Sequence, residues 1–256
     1  MEQQLLHYDY YYVVVVVVCV LLLVFWSLSS CSCSDVLYVS QDKQDEYLES
    51  NVFRGYEKGF FVDVGAHDGK TINNTLYFEK ARDWRGINIE PLKEVYAKLV
   101  MNRPSSININ CAIDETEGRS EFIYNKGYTE MISGLRRHYD DRHYERLKGE
   151  NELTGATSEL IEVETKTLRG IFESYGVKHV NYLSIDVEGA EFAVIKSIDF
   201  SKVFIDVIGF ENNYGDKSLP IIDYLIKKGY SELSGGDMDI FMIHEKSEFK
   251  VKEITE

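Results

Sequence analysis

Cysteine is nearly missing from the part of this 256-residue chain that can build a core. Cys19, Cys31 and Cys33 lie in or beside the N-terminal segment, which leaves Cys111 alone in the rest of the chain. A lone thiol excludes an internal disulfide framework. A domain of this size can fold without staples, so the shortage suits a cytosolic domain and equally a lumenal one. Basic charge is also short, with 28 Lys and Arg against 43 Asp and Glu and a formal net charge of −15. Glu2 and Asp9 are the only charges before Asp35, so the rest of the chain carries −13 once those two are set aside. A protein that binds phosphate backbones needs a face rich in lysine and arginine. The one local basic group, Arg136, Arg137, His138, Arg142 and His143, is interrupted by Asp140 and Asp141. Nucleic acid is therefore not expected as a partner.

Charge is absent altogether from Tyr10 to Leu28. At about 1.5 Å per residue that run matches a hydrocarbon core of roughly 30 Å. Tyr10, Tyr11 and Tyr12 at one end and Trp26 at the other stand where an interfacial aromatic belt would. The segment is expected to be a single-pass transmembrane helix. A cleaved signal peptide, with small residues over Ser27 to Ser34, is the alternative; the lack of any preceding lysine or arginine and the length of the run count against it. Cys31 and Cys33 are palmitoylation candidates. The chain thus divides into an anchor or signal segment (1–34), a lead-in helix (35–58), one α/β domain (59–246) and a tail (247–256).

The domain is organised around Gly59-Phe60-Phe61-Val62-Asp63-Val64-Gly65-Ala66-His67-Asp68-Gly69-Lys70. The apolar run Phe60 to Val64 reads as a buried parallel strand, ending in a glycine turn before a helix predicted over Thr71 to Arg82. A glycine at a strand end lets the backbone approach a bound group closely, and Gly69 can take positive φ. A second apolar strand, Trp84 to Glu90, ends in an acid about 20 residues past the turn, where nucleotide folds place a carboxylate on ribose hydroxyls. His67 occupies the place of the middle glycine of a dinucleotide fingerprint and no third glycine follows, so the ligand expected here has a ribose and no diphosphate.

Further strands are predicted over Ser106 to Asn110, Ser120 to Tyr124, Leu160 to Thr165, Val180 to Ile185 and Val203 to Gly209. Helices are predicted over Pro91 to Asn102, Thr167 to Gly176 and Leu219 to Lys228, and a closing hairpin over Tyr230 to Leu233 and Asp239 to His244. Asn125 to Ser158 reads as a long polar insertion. Asp186 ends a central strand, followed by Glu188 and Glu191 at the start of a helix, where negative charge is also favourable as a plain helix-terminus effect.

Gly59 to Gly69, Asn74-Thr75-Leu76, Trp84-Arg85-Gly86 with Glu90-Pro91, Asn102-Arg103-Pro104, Ser133-Gly134-Leu135 and, above all, Ser184-Ile185-Asp186-Val187-Glu188-Gly189-Ala190-Glu191 resemble the FkbM-type methyltransferases. The likeness runs from Tyr38 to His244. In layout the chain is similar to the membrane-anchored Star-like subgroup. The resemblance implies a class I, Rossmann-like, mostly parallel sheet with an antiparallel closing hairpin, and S-adenosylmethionine as cofactor. Its expected contacts are Asp63, Gly65, Ala66, His67, Asp68, Gly69, Glu90, Ala112, Ile113 and Asp186. It also implies methyl transfer to a small-molecule or glycan hydroxyl. Asp186, Glu211 and His138, in that order, are the candidates for base or metal work, and Asp186 with Glu211 and Asn212 could supply hard oxygen ligands to a divalent cation. The Star-like layout favours a domain on the lumenal side of an endomembrane. It also leaves open a different role, that of a membrane-anchored trafficking factor with a protein partner and no catalysis.

Overall fold

The computed structural model describes residues 37–212, 215, 217–233 and 239–249, and the fold lies in the unit that begins at Tyr38. In chain order the strands are β1 (Phe60–Val64), β2 (Arg85–Ile89), β3 (Ile107–Ile109), β4 (Ala112–Ile113), β5 (Gly118–Lys126), β6 (Gly134–Leu135), β7 (Thr157–Lys166), β8 (His179–Ile185), β9 (Phe204–Glu211), β10 (Tyr230–Leu233) and β11 (Asp239–His244). The α-helices are α1 (Gln44–Leu48), α2 (Leu76–Ala81), α3 (Lys93–Asn102), α4 (Asp141–Thr154), α5 (Leu168–Tyr175), α6 (Glu191–Lys196) and α7 (Ser218–Ile226).

Seven strands form one twisted sheet in the order β10-β11-β9-β8-β1-β2-β3. The run from β3 to β9 is parallel, while β11 lies antiparallel to both β9 and β10, so the sheet is mixed. Its central strands read as nearly continuous apolar runs because both faces are covered: Phe61, Val62, Leu183, Ile205, Val207 and Ile208 are fully buried. Each such side chain contributes roughly 1.5–3 kcal/mol by leaving water. Beneath β1, an aromatic cluster joins Phe53 of the lead-in segment to Phe78, Trp84 and Phe249, with ring centroids 4.8–5.2 Å apart and edge-on geometry. The lead-in segment and the start of the C-terminal tail therefore pack as part of the core.

The chain passes from β1 to β2 and β3 on one side and reaches β8 and β9 on the other, so β1 and β8 border the point where strand order reverses. In open α/β sheets ligands bind at that point, outside the carboxyl ends of the strands. A second sheet, β4-β7-β5-β6, stands beside it. Its frame is a long antiparallel pair, Gly118 opposite Thr165 through Lys126 opposite Thr157. The polar insertion is thus folded. It carries β6 and α4, whose start is capped by Asp140 accepting from the His143 N–H at 3.1 Å and whose end is closed by Gly155 at φ 72°.

Two expectations are corrected. The first crossover helix begins at Leu76, not at Thr71. Asp68 accepts hydrogen bonds from the N–H groups of Lys70 (2.9 Å) and Thr71 (2.7 Å), and Asn73 Oδ1 accepts from those of Thr75 (3.1 Å) and Leu76 (2.8 Å). These side chains offer the backbone partners that compete with a helical turn. The second correction concerns the membrane. No helix among the described residues is long and apolar enough to cross one, and residues 10–28, where the span was expected, lie outside the described residues. The transmembrane helix, the membrane as partner and the single-pass, lumen-facing localisation are accordingly dropped.

Candidate active site

A cavity of about 710 Å³ opens at the carboxyl ends of β1, β2, β8 and β9, within the range of roughly 300–1,000 Å³ usual for small-molecule sites. Gly65, Ala66 and His67 line it from the turn after β1, Glu90 from the end of β2, Ala112 and Ile113 from β4, Asp186 and Glu188 from the loop after β8, Glu211 from the end of β9 and Asp239 from the start of β11. The insertion supplies another wall through Tyr128 to Leu135 and, on α4, Arg146, Glu150, Leu153 and Thr154.

Gly65 sits at φ +90°, and a Cβ built on it would stand 1.8 Å from the carbonyl oxygen of Asp186. Only glycine allows the ends of β1 and β8 to approach in this way, with the Asp186 N–H donating to the Val64 carbonyl at 2.9 Å. His67, also left-handed at φ 50°, pairs through Nε2 with Glu130 at 3.1 Å, while its Nδ1 is buried without a hydrogen-bond partner. Asp68 and Gly69, expected at the cofactor, do not line the cavity. Asp68 ties the turn to Lys70 and Thr71, and Gly69 packs where a Cβ would come within 2.5 Å of Leu99 and 2.6 Å of Arg103.

Asp63 holds the unwound segment before α2. Its carboxylate accepts from Asn73 Nδ2 (2.9 Å) and Thr75 Oγ1 (2.8 Å). Fully buried Arg103 donates to Asn73 Oδ1 (2.9 Å), Thr75 Oγ1 (3.1 Å) and Glu79 Oε2 (2.8 Å). Burial raises the Asp63 carboxyl above the usual range against the opposing pull of Arg103, Thr75 and Asn73. Sequence reasoning assigned Arg103 no role, although it stood within a motif shared with the resembled family.

Glu90 is 5% exposed, and its carboxylate accepts the Leu92 N–H at 2.8 Å and the His67 N–H. Burial pushes it up to about 8, the two N–H donors pulling the other way and Glu130 and Asp63 adding to the rise. Asp186 opens onto the cavity and is exposed to solvent there. Partial desolvation by the cavity walls, and then the nearby charges of Glu211 and Glu188, raise it above the ordinary carboxylate range. Glu188 is 6% exposed and raised to about 8 by burial and then by Glu211, with Arg146 opposing. Asp239, opposite Glu211 in the β9/β11 register, is raised to about 6 by burial. Glu191 turns away from this group and accepts the N–H of Gly189 at 2.9 Å.

His138 does not reach the cavity; its Nε2 faces Asp114 at 3.3 Å, where Arg137 also pairs. Asn212 accepts a hydrogen bond from Ser218 and does not line the cavity either. Among the described residues no group of three or more His, Cys, Asp or Glu is arranged to hold a metal ion. Side chains that sequence reasoning did not place here include Asp239 at the start of β11 and, from the insertion, Glu130, Arg146 and Glu150.

The chain matches the methyltransferase FkbM domain over residues 63–232, well over half its length. It is similar to the crystal structure of the methyltransferase FkbM from Methylobacillus flagellatus KT, with 14% identity and a TM-score of 0.45 over 74% of this chain and 44% of that one. It is also similar to a putative rRNA methylase from Clostridium thermocellum, with 10% identity and a TM-score of 0.38 over 81% and 95%. This chain thus spans less than half of the Methylobacillus protein. No curated protein matches it. On the strength of the domain match, the chain belongs to the FkbM family of S-adenosylmethionine-dependent methyltransferases.

Proposed function

We propose that this chain transfers a methyl group from S-adenosylmethionine to the hydroxyl of a small molecule or glycan. The observation that carries the reading is one cavity holding both a buried acid at the end of β2 and a carboxylate group at the ends of β8 and β9. The residues fit the cofactor. Glu90 is a buried acceptor with only backbone donors on it, and two ribose hydroxyls would return hydrogen bonds that burial removed. His67 Nδ1 offers a further buried polar atom at the same turn. The excess of acid over base in the lining suits a ligand of net positive charge.

When bound, S-adenosylmethionine supplies an electrophilic methyl on a sulfonium, released as a neutral thioether when the acceptor oxygen takes the methyl. The chain's own contribution is first positioning, to which an aligned site can add roughly 7–11 kcal/mol. The acidic group attracts a cationic ligand before reaction, which is binding and not acceleration. Its catalytic use is to take a proton. An alcohol is hardly acidic, and a carboxylate whose affinity for protons has been raised by partial desolvation and by like charges is a better base for it than an ordinary one. Asp186, which opens onto the cavity, takes the hydroxyl proton in this reading, with Glu211 and Glu188 holding its proton affinity up.

Calorimetric titration of the full chain with S-adenosylmethionine tests the cofactor step, and release of S-adenosylhomocysteine across a panel of hydroxyl acceptors tests the transfer. Saturable binding lost in Glu90→Ala and turnover lost in Asp186→Asn are expected. No binding to folded protein refutes the reading; binding without turnover on any acceptor favours a binding factor over an enzyme.

A further inference from the structure

The lining of the cavity has a charge and a polarity that narrow the acceptor. Asp186, Glu188, Glu211 and Asp239 face it from the sheet side, and Arg146 is the only arginine or lysine among its described lining residues. Arg146 is held at 2.9 Å by Glu150, one turn along α4, and stands 3.7 Å from Glu188 Oε2, beyond hydrogen-bond distance. Glu188 Oε2 is left buried with no hydrogen-bond partner. A carboxylate more than nine-tenths buried and lining a ligand cavity, whose Oε2 has the ion pair with Arg146 but no hydrogen bond, gains when a donor arrives with the ligand. The bound cofactor brings one net positive charge to a wall that carries several acids.

The opening is mixed: exposed Gln41, Asp42, Thr71 and Thr154 share it with large apolar side chains. Ile72, Tyr128, Met131 and Leu153 all line the cavity and yet are 41%, 78%, 40% and 88% exposed, which places them at its mouth. Large apolar side chains gathered at the mouth of a polar cavity mark a surface meant to be covered by something apolar. A neutral sugar could donate to Glu188 but would leave the apolar side chains at the mouth unused, and an anionic acceptor would meet the acids.

We propose that the acceptor is a cationic amphiphile, an alcohol with a protonated amine beside the hydroxyl and an apolar chain. Glu188 receives the ammonium, and the chain lies across Ile72, Tyr128, Met131 and Leu153. This rests on the methyltransferase reading. Glu188 is then a specificity-determining residue, and Arg146 keeps its place until the ammonium arrives.

The test is calorimetric titration of the full chain, loaded with S-adenosylhomocysteine, with four probes: aminooctanol, octanediol, hydroxyoctanoate and the short-chain alaninol. Aminooctanol is expected to bind at least tenfold more tightly than each of the other three. Glu188→Gln should weaken aminooctanol about tenfold while leaving octanediol unchanged, and Leu153→Asn should bring aminooctanol toward alaninol. The exposed Arg146→Gln variant, which does not disturb the core, should bind aminooctanol at least as tightly as the parent. Preference for hydroxyoctanoate lost in Arg146→Gln, equal binding of aminooctanol and octanediol, or binding of none of the four overturns the proposal. Loading with S-adenosylhomocysteine is measured separately, so failure of the cofactor site is distinguished from failure of the acceptor assignment.

Discussion

Glu90→Gln should stabilise the ligand-free protein while weakening its cofactor site. The Glu90 carboxyl rises from an ordinary 4.5 to about 8 in the fold, with burial as the main cause. Between those two values the folded state binds more protons than the unfolded state, so stability falls as pH rises, by about 1.4 kcal/mol per pH unit. The penalty is absent below about pH 4.5, reaches about 3 kcal/mol at pH 7 and levels off near about 5 kcal/mol above pH 8. Glutamine keeps the shape and an acceptor for the Leu92 N–H, but carries no charge to desolvate. In urea titrations the two proteins should have similar midpoints at pH 5 and separate progressively to pH 8, the variant being the more stable. Because ribose hydroxyls favour the charged form, cofactor binding should release protons at pH 7, seen as a dependence of the calorimetric heat on the buffer's ionisation enthalpy. The variant should lose that dependence and bind roughly ten- to a hundredfold more weakly, the worth of hydrogen bonds to a charged group. Parallel stability curves for the two proteins, or unchanged affinity, would refute the reasoning.

Two substitutions test the scaffold. Gly65→Ala places a methyl 1.8 Å from the Asp186 carbonyl oxygen at φ +90°; left-handed strain of roughly 1–2 kcal/mol and overpacking of roughly 1–3 kcal/mol should lower the urea midpoint at unchanged m and abolish cofactor binding, and a change within about 0.5 kcal/mol would count against the close approach of β1 and β8. Arg103→Met leaves Glu79, Asn73 and Thr75 without their shared donor and should cost about 3–5 kcal/mol, part of it recovered in the double variant with Glu79→Gln; full additivity of the two changes would show that the network is not coupled.

The elements that the sequence made plain are those whose side chains report burial directly. Tyr230–Leu233 and Asp239–His244 emerge at the expected residues, and the central strands differ by a residue or two, because continuous β-branched runs have few other places to go. The elements that it obscured are decided by side-chain bonds. Thr71 to Thr75 has a helical pattern but is unwound by Asp68, which bonds the N–H groups just after it, and by Asn73, which Arg103 holds from a distant turn. α4 was hidden for a different reason. Only His143 and Leu147 of its fourteen residues are buried, too thin a stripe to announce a helix.

The candidate site divides in the same way. Composition reveals which acids stand near a strand end, but not whether a carboxylate faces a cavity or its own backbone. Asp68 and His138 were expected at the ligand and instead close local contacts, whereas Glu188 and Glu191, three residues apart in one motif, have opposite fates. Glu188 at φ 49° and Gly189 at φ 95° are successive left-handed residues. They turn the chain so that the Gly189 N–H meets the Glu191 carboxylate, while Glu188 is left lining the cavity. A left-handed conformation at a glutamate costs of order 1–3 kcal/mol and persists only where the surrounding structure over-determines it. Here the surroundings are the end of β8, fixed by the Asp186 N–H on Val64, and the wall that the insertion lays against it. Strain held in place at a buried carboxylate that has an ion pair with Arg146 but no hydrogen bond to its Oε2 is more economically explained by a ligand than by folding, since a folded state selected for stability alone would relax both.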